Sequence, residues 1–126
     1  MSLRAPLNVL VLDVDGSAEV RSVEATVVAV QAIVGGYIEM VQLDRKTVMY
    51  VNEEGKDFGL PVNTAANRLV AFTNPGLHPA DFIVGPVFLV GLLNAQGEMD
   101  GEEHDTPGYI VQICRDLNIP VTTMTH

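Results

Sequence analysis

The chain has 126 residues, with seven Lys and Arg against 16 Asp and Glu, a formal charge of −9 and a 48% hydrophobic fraction. That is the size of one domain with apolar material for a core of its own, needing neither metal nor disulfide framework. The negative field repels phosphate backbones and disfavours direct nucleic-acid binding, and no stretch approaches the roughly 18 apolar residues that a membrane span requires.

Leu7 to Asp13 is a short, nearly continuous apolar run with β-branched content, which predicts a buried strand. It is also too short for a secretory signal. Asp15-Gly16-Ser17 is turn chemistry, and Glu19 to Glu24 predicts a second strand pairing back on the first. Thr26 to Val34 places Val27, Val30, Ile33 and Val34 on one helical face, and Gly35-Gly36 stops that helix. Tyr37 to Leu43 alternates and Thr47 to Val51 is strongly β-prone. With Asp44-Arg45-Lys46 between them and Asn52-Glu53-Glu54-Gly55 closing, they form a second hairpin.

Pro61 precedes a helical segment, 63–69, with Asn63 or Thr64 as its N-cap. Asn74-Pro75-Gly76 and His78-Pro79 mark a loop. Phe82 to Leu93 is the most apolar stretch and predicts a central strand, bulged near Gly85. Asn94 to Pro107 has loop composition, including the acidic cluster Glu98, Asp100, Glu102, Glu103 and Asp105, and reads as solvated. Gly108 to Leu117 fits an amphipathic helix with Ile110, Ile113, Cys114 and Leu117 on one face, and Ile119 to Thr123 fits a short edge strand. Many strands with few intervening helices predict an α+β domain: a mostly antiparallel sheet with two or three helices packed on it. The whole chain, 1–126, is expected to be one domain.

The single cysteine, Cys114, lies in an apolar run, reads as a buried inert thiol and points to a reducing, cytoplasmic setting. The stretch Val11 to Ser17 resembles the opening motif of haloacid-dehalogenase-type phosphatases, in which the first carboxylate attacks phosphorus and the second handles protons beside Mg²⁺. Asp13 and Asp15 hold those positions here. The later Lys and Asp pair of that machinery are missing, so a hairpin turn is preferred and a Mg-dependent phosphatase is kept only as an alternative. Asp13, Asp15, Ser17, Glu19 and Glu24 also have calcium-loop spacing, but Ala18 stands where the sharp turn needs Gly. The acidic cluster with His104 is a poor metal site, and His78 and His126 have no evident partner; no metal or cofactor is implied.

Four ordered segments carry a more specific resemblance. They are Ile33-Val34-Gly35-Gly36-Tyr37-Ile38-Glu39, Val51-Asn52-Glu53-Glu54-Gly55, Gly59-Leu60-Pro61-Val62-Asn63-Thr64-Ala65-Ala66, and Asp81 to Gly91. Together they resemble domain-of-unknown-function family 3846, over roughly residues 7–93, with the part from 94 to 126 unplaced. The resemblance implies an accessory protein of phages and mobile elements, with no activity to carry over. Its motif residues are Gly35, Gly36, Tyr37, Glu39, Asn52, Glu53, Gly55, Pro61 and Asn63. The two helix-stopping glycines, Gly55 in its turn, Pro61 and the capping Asn63 have structural duties. Tyr37, Glu39 and Glu53 have none in view, and with Asn52 and Asn63 they form the candidate ligand site, set against a buried network that fixes the turns.

The expected function is therefore a non-catalytic domain that binds a host protein, a counter-defence target, or a small molecule. A nucleotide or metabolite receptor is the second reading. DNA mimicry by the 98–105 cluster is a weaker variant of the first. An edge strand, Tyr37 to Leu43 or the C-terminal tail, is the candidate surface for a homodimer.

Overall fold

The structure is a computed structural model that describes residues 5–75 and 82–123. The loop expected at 76–79, with His78, and the terminal His126 lie outside the described residues. The elements in chain order are β1 (Leu7–Leu12), β2 (Ala18–Val23), α1 (Val27–Val34), β3 (Ile38–Gln42), β4 (Thr47–Asn52), α2 (Thr64–Thr73), β5 (Val87–Leu93), β6 (Met99–His104), α3 (Gly108–Asp116) and β7 (Val121–Thr123). The expected α+β class is what the chain adopts. Among the described residues, seven strands form one sheet in the order β3-β4-β5-β1-β2-β7, with β6 also on β5. Every pairing is antiparallel except β2 with β7.

The central strands are apolar on both faces because helices cover both. Val9 and Val11 of β1, with Phe88 and Val90 of β5, pack toward Val34 and the half-buried Val30 and Ile33 of α1. Leu10, Leu12, Val87 and Leu89 point the other way, onto Ala65, Ala66, Leu69 and Val70 of α2 and Ile110 and Cys114 of α3. A strand buried on both sides reads as an unbroken hydrophobic run rather than an alternating one, as Leu7–Leu12 does. Cys114 is fully buried. Burial pushes its thiol up to about 11, and the expected burial is what the structure has.

The helix ends reflect local chemistry. Thr26 caps α1 by accepting the Ala29 N–H at 3.1 Å, and Gly35 ends it at φ 82°, the left-handed region that a side chain resists. α2 is capped by Asn63. α3 starts after Pro107 with no side-chain cap.

Two expectations need correction. The segment 94–107 is not simply a solvated loop, because Met99–His104 forms β6 and pairs with β5 through Gly91↔His104 and Leu93↔Met99. Its composition is poor for a strand, but the edge of β5 beyond Leu89, where its pairing with β1 stops, is open there and supplies the ladder. Second, the strand expected over 82–93 begins only at Val87. Gly85 takes φ 75°, and the residues before it leave the sheet plane to make a single bridge, Val62↔Val84.

One edge of β5 is thus shared. β1 holds Val87 to Leu89 and β6 holds the stretch from Gly91 onward. The handover is bridged by Thr106, whose hydroxyl accepts the Leu10 N–H at 2.8 Å and donates to the Leu89 carbonyl at 2.5 Å. Beside it, the Thr106 N–H donates to the Asn8 carbonyl, and Asp105 Oδ1 accepts the Asn8 N–H at 2.8 Å. Gly91 leaves room for this crossing, since a Cβ there would lie 2.6 Å from the Asp105 carbonyl oxygen.

Candidate functional site

The β3–β4 hairpin and the segment 82–84 enclose a cleft of about 510 Å³. Edge strand β3 contributes Glu39, Met40, Val41 and Gln42; β4 and its exit contribute Val51, Asn52 and Glu53. Lys56 and Asp57 stand on the turn after β4, Asn74 comes from the end of α2, and Phe82, Ile83 and Val84 form the opposite wall. The floor is apolar, since Val51, Ile83 and Val84 are buried and Val41 packs on the core. The mouth carries the carboxylates of Glu39, Glu53 and Asp57, with one ammonium, that of Lys56, 4.6 Å from the Phe82 ring centroid.

Three of the five candidate ligand residues line this cleft: Glu39, Asn52 and Glu53. Register brings them together, because Glu39 pairs with Val51 and Ile38 with Asn52. Asn52 is committed to the scaffold. Its Nδ2 donates to the Val34 carbonyl at 3.1 Å and its Oδ1 accepts the Glu54 N–H at 2.8 Å. Gly36 lies against the same amide, and the Gly55 N–H donates to the Asn52 carbonyl. Tyr37 is exposed and is not among the lining residues.

Asn63 is not among them either. It is fully buried, and its side-chain amide is used three times. Nδ2 donates to the carbonyls of Leu12 at 3.0 Å and Gly85 at 2.9 Å, while Oδ1 accepts the Ala66 N–H at 3.0 Å. One turn later, Asn67 Nδ2 donates to the Ile83 carbonyl and its Oδ1 accepts the Ile83 N–H, each at 2.8 Å. The Pro61 carbonyl accepts the Gly85 N–H at 2.8 Å. Two asparagines of α2 thus hold the segment 83–85 that forms the far wall of the cleft. Asn67 was missed from sequence, although its spacing of four from the cap placed it on the same helix face. Gln42, Lys56, Asp57, Asn74 and Phe82 were missed because only long-range packing gathers them.

Asp13 and Asp15 serve the β1–β2 turn. Asp13 Oδ1 accepts the Val14 N–H at 2.7 Å and Asp15 Oδ1 accepts the Ser17 N–H at 2.8 Å. The Ser17 side chain and then its backbone N–H hold the Asp15 carboxyl below its ordinary value. β2 starts at Ala18, inside the stretch that has calcium-loop spacing. Among the described residues no group of three or more His, Cys, Asp or Glu side chains is placed to hold a metal.

A second cavity, of about 150 Å³, lies beneath α1 among Val9, Val23, Val30, Phe88 and Val90, with Glu103 in its wall. Burial first, and then a hydrogen bond to Glu103, push the Tyr50 hydroxyl above its ordinary value. A shallower groove beside His104 and Pro107 includes Ala5 and Pro6, next to residues 1–4 that are outside the described part.

The fold is that of a small α+β domain, with a cleft beside its edge strand β3. The chain belongs to the family of the domain of unknown function DUF3846, whose model matches residues 7–110. That span continues past the boundary near 93, through β6 to the third residue of α3. No curated protein and no solved structure matches the chain. No described helix is long and apolar enough to cross a membrane.

Proposed function

We propose that this protein is a non-catalytic binding domain whose site is the cleft between the β3–β4 hairpin and the segment 82–84. One observation carries the reading: a cleft of about 510 Å³ in which polar and charged side chains surround an apolar floor of Val51, Ile83 and Val84, a volume usual for binding sites. The lining holds no hydroxyl, thiol or imidazole group beside Glu39 and Glu53, and Asp13 and Asp15 sit at another turn. The cytoplasmic setting, the phage or mobile-element origin and a counter-defence target belong to the same reading and rest on the family resemblance and on the lone reduced cysteine.

The second reading, a receptor for a nucleotide or other metabolite, is favoured by the cleft's volume alone. Thermal unfolding against nucleotides, amines and central metabolites separates the two. A ligand at about 100 times its dissociation constant adds about 2.7 kcal/mol. A shift abolished by Glu39→Arg with Glu53→Arg places the ligand in the cleft; a shift that the double variant leaves intact refutes the cleft as the site.

A further inference from the structure

We infer that the outer edge of β3 takes an extended, positively charged segment of a partner protein as an added strand, whose side chains enter the cleft beside Glu39 and Glu53. The inference rests on the cleft being the binding site and names what fills it.

Register shows which backbone groups are open. The Glu53 N–H donates to the Tyr37 carbonyl at 2.9 Å and the Leu43 N–H to the Thr47 carbonyl at 3.0 Å. In an antiparallel ladder, hydrogen-bonded pairs alternate with non-bonded ones. The odd residues 37, 39, 41 and 43 therefore face β4, and Ile38, Met40 and Gln42 turn their N–H and C=O groups away from the sheet. The Gln42 carbonyl accepts from Asn74 Nδ2 at 3.1 Å. Among the described residues, the N–H and C=O of Ile38 and Met40 and the N–H of Gln42 meet no other strand, since β3 is the end of the sheet. Such a row is a template for a further strand.

The cleft runs along that row. It is lined by four consecutive residues, Glu39 to Gln42. Successive side chains in a strand point to opposite faces, so a cavity that meets all four reaches the edge itself. Met40 is 58% exposed there.

Charge selects the occupant. Three carboxylates, Glu39, Glu53 and Asp57, face one ammonium at the mouth. Neither the Glu39 nor the Glu53 side chain has an ion-pair or hydrogen-bond partner among the described residues. A second copy of the chain would bring −9 toward −9, a repulsion that opposes self-pairing. An extended segment alternating Arg or Lys with apolar residues satisfies the backbone edge, the apolar floor and the acidic mouth together.

The test uses two acetylated, amidated octapeptides, one alternating Arg with Val and one alternating Glu with Val, titrated into the ¹⁵N-labelled protein. The Arg peptide is expected to bind and to move the amides of Ile38, Met40 and Gln42 more than those of Glu39 and Val41; the Glu peptide is expected not to bind. Glu39→Gln with Glu53→Gln should weaken the Arg peptide by about two- to thirtyfold, and added salt should weaken it further. N-methylation of one alternate set of peptide amides should abolish binding, and methylation of the other set should leave it within about twofold, because only one set faces β3. Equal binding of both peptides, indifference to methylation, or a homodimer in sedimentation equilibrium with amides 38, 40 and 42 protected would overturn the inference. If the Arg peptide fails while a metabolite shifts unfolding through Glu39 and Glu53, strand addition falls and the cleft stands. If both fail, both fall.

Discussion

Replacing Asn63 by Ala removes three hydrogen bonds from a site with no access to water. The cap to Ala66 N–H is worth about 1 kcal/mol, and each buried carbonyl that loses its donor, at Leu12 and at Gly85, costs about 1.5 kcal/mol. The sum is about 4 kcal/mol. With an unfolding entropy of about 2.1 cal/mol/K per residue, the midpoint should fall by roughly 15 °C. Asn63→Ser keeps an acceptor for the cap and loses the two donors, so it should lie between Ala and the parent. Calorimetric or circular-dichroism melts, with urea titration for the free energy, measure this directly. A loss under about 1 kcal/mol for Asn63→Ala, or a Ser variant equal to the parent, would refute the view that this amide ties α2 to the end of β1 and to the cleft wall. The same substitution is unsuited to locating a ligand, because it disturbs the wall rather than the lining.

Other outcomes are set by the same geometry. Thr106→Val should cost about 2–4 kcal/mol in urea titration, since the Leu10 N–H and Leu89 carbonyl both lose their bridging hydroxyl, and Thr106→Ser should recover most of it. Cys114, with its thiol raised to about 11, should react with a disulfide reagent at pH 8 only as fast as the domain opens, and at the ordinary rate in denaturant; fast native labelling would contradict its burial. Asp100 is held below its ordinary value by a hydrogen bond from His104 first and the Glu102 N–H second. A depressed carboxylate gives stability that is present above its unfolded value, near 3.8, and lost as pH falls through the lower folded value. The Asp100 carboxyl should therefore titrate below 3.8 by NMR, and His104→Ala should raise its midpoint.

The strands and helices that were legible are those whose composition and environment agree. β1 reads as buried because both faces are covered, and α1 and α2 announce their ends through Thr26, Gly35 and Asn63. β6 was illegible because Met99-Asp100-Gly101-Glu102-Glu103-His104 has little intrinsic preference for a strand; the open edge of β5 imposes it, and nothing local encodes that edge. The start of β5 was misplaced because Phe82 to Val84 is as apolar as Val87 to Leu93, and its departure from the sheet depends on Gly85 and on the asparagines of α2. For the site, the hairpin register made the neighbourhood of Glu39, Asn52 and Glu53 readable. Asn63 looked like a ligand group because a buried polar side chain and a binding one have the same residue type. Only its three partners tell them apart.

The shared edge of β5 also bears on the order in which the chain assembles during synthesis. The first hairpin is made early, yet β1 is completed on one side by Asp105 and Thr106, and β2 on the other by β7, through Ala18↔Val121 to Val20↔Thr123. Contacts so distant in sequence form late, after their loop-closure entropy has been met. Until residues 105–123 are made, the outer flank of β2 and the part of β1 around Asn8 stand unsealed, in an interval when a strand edge is open to unwanted pairing.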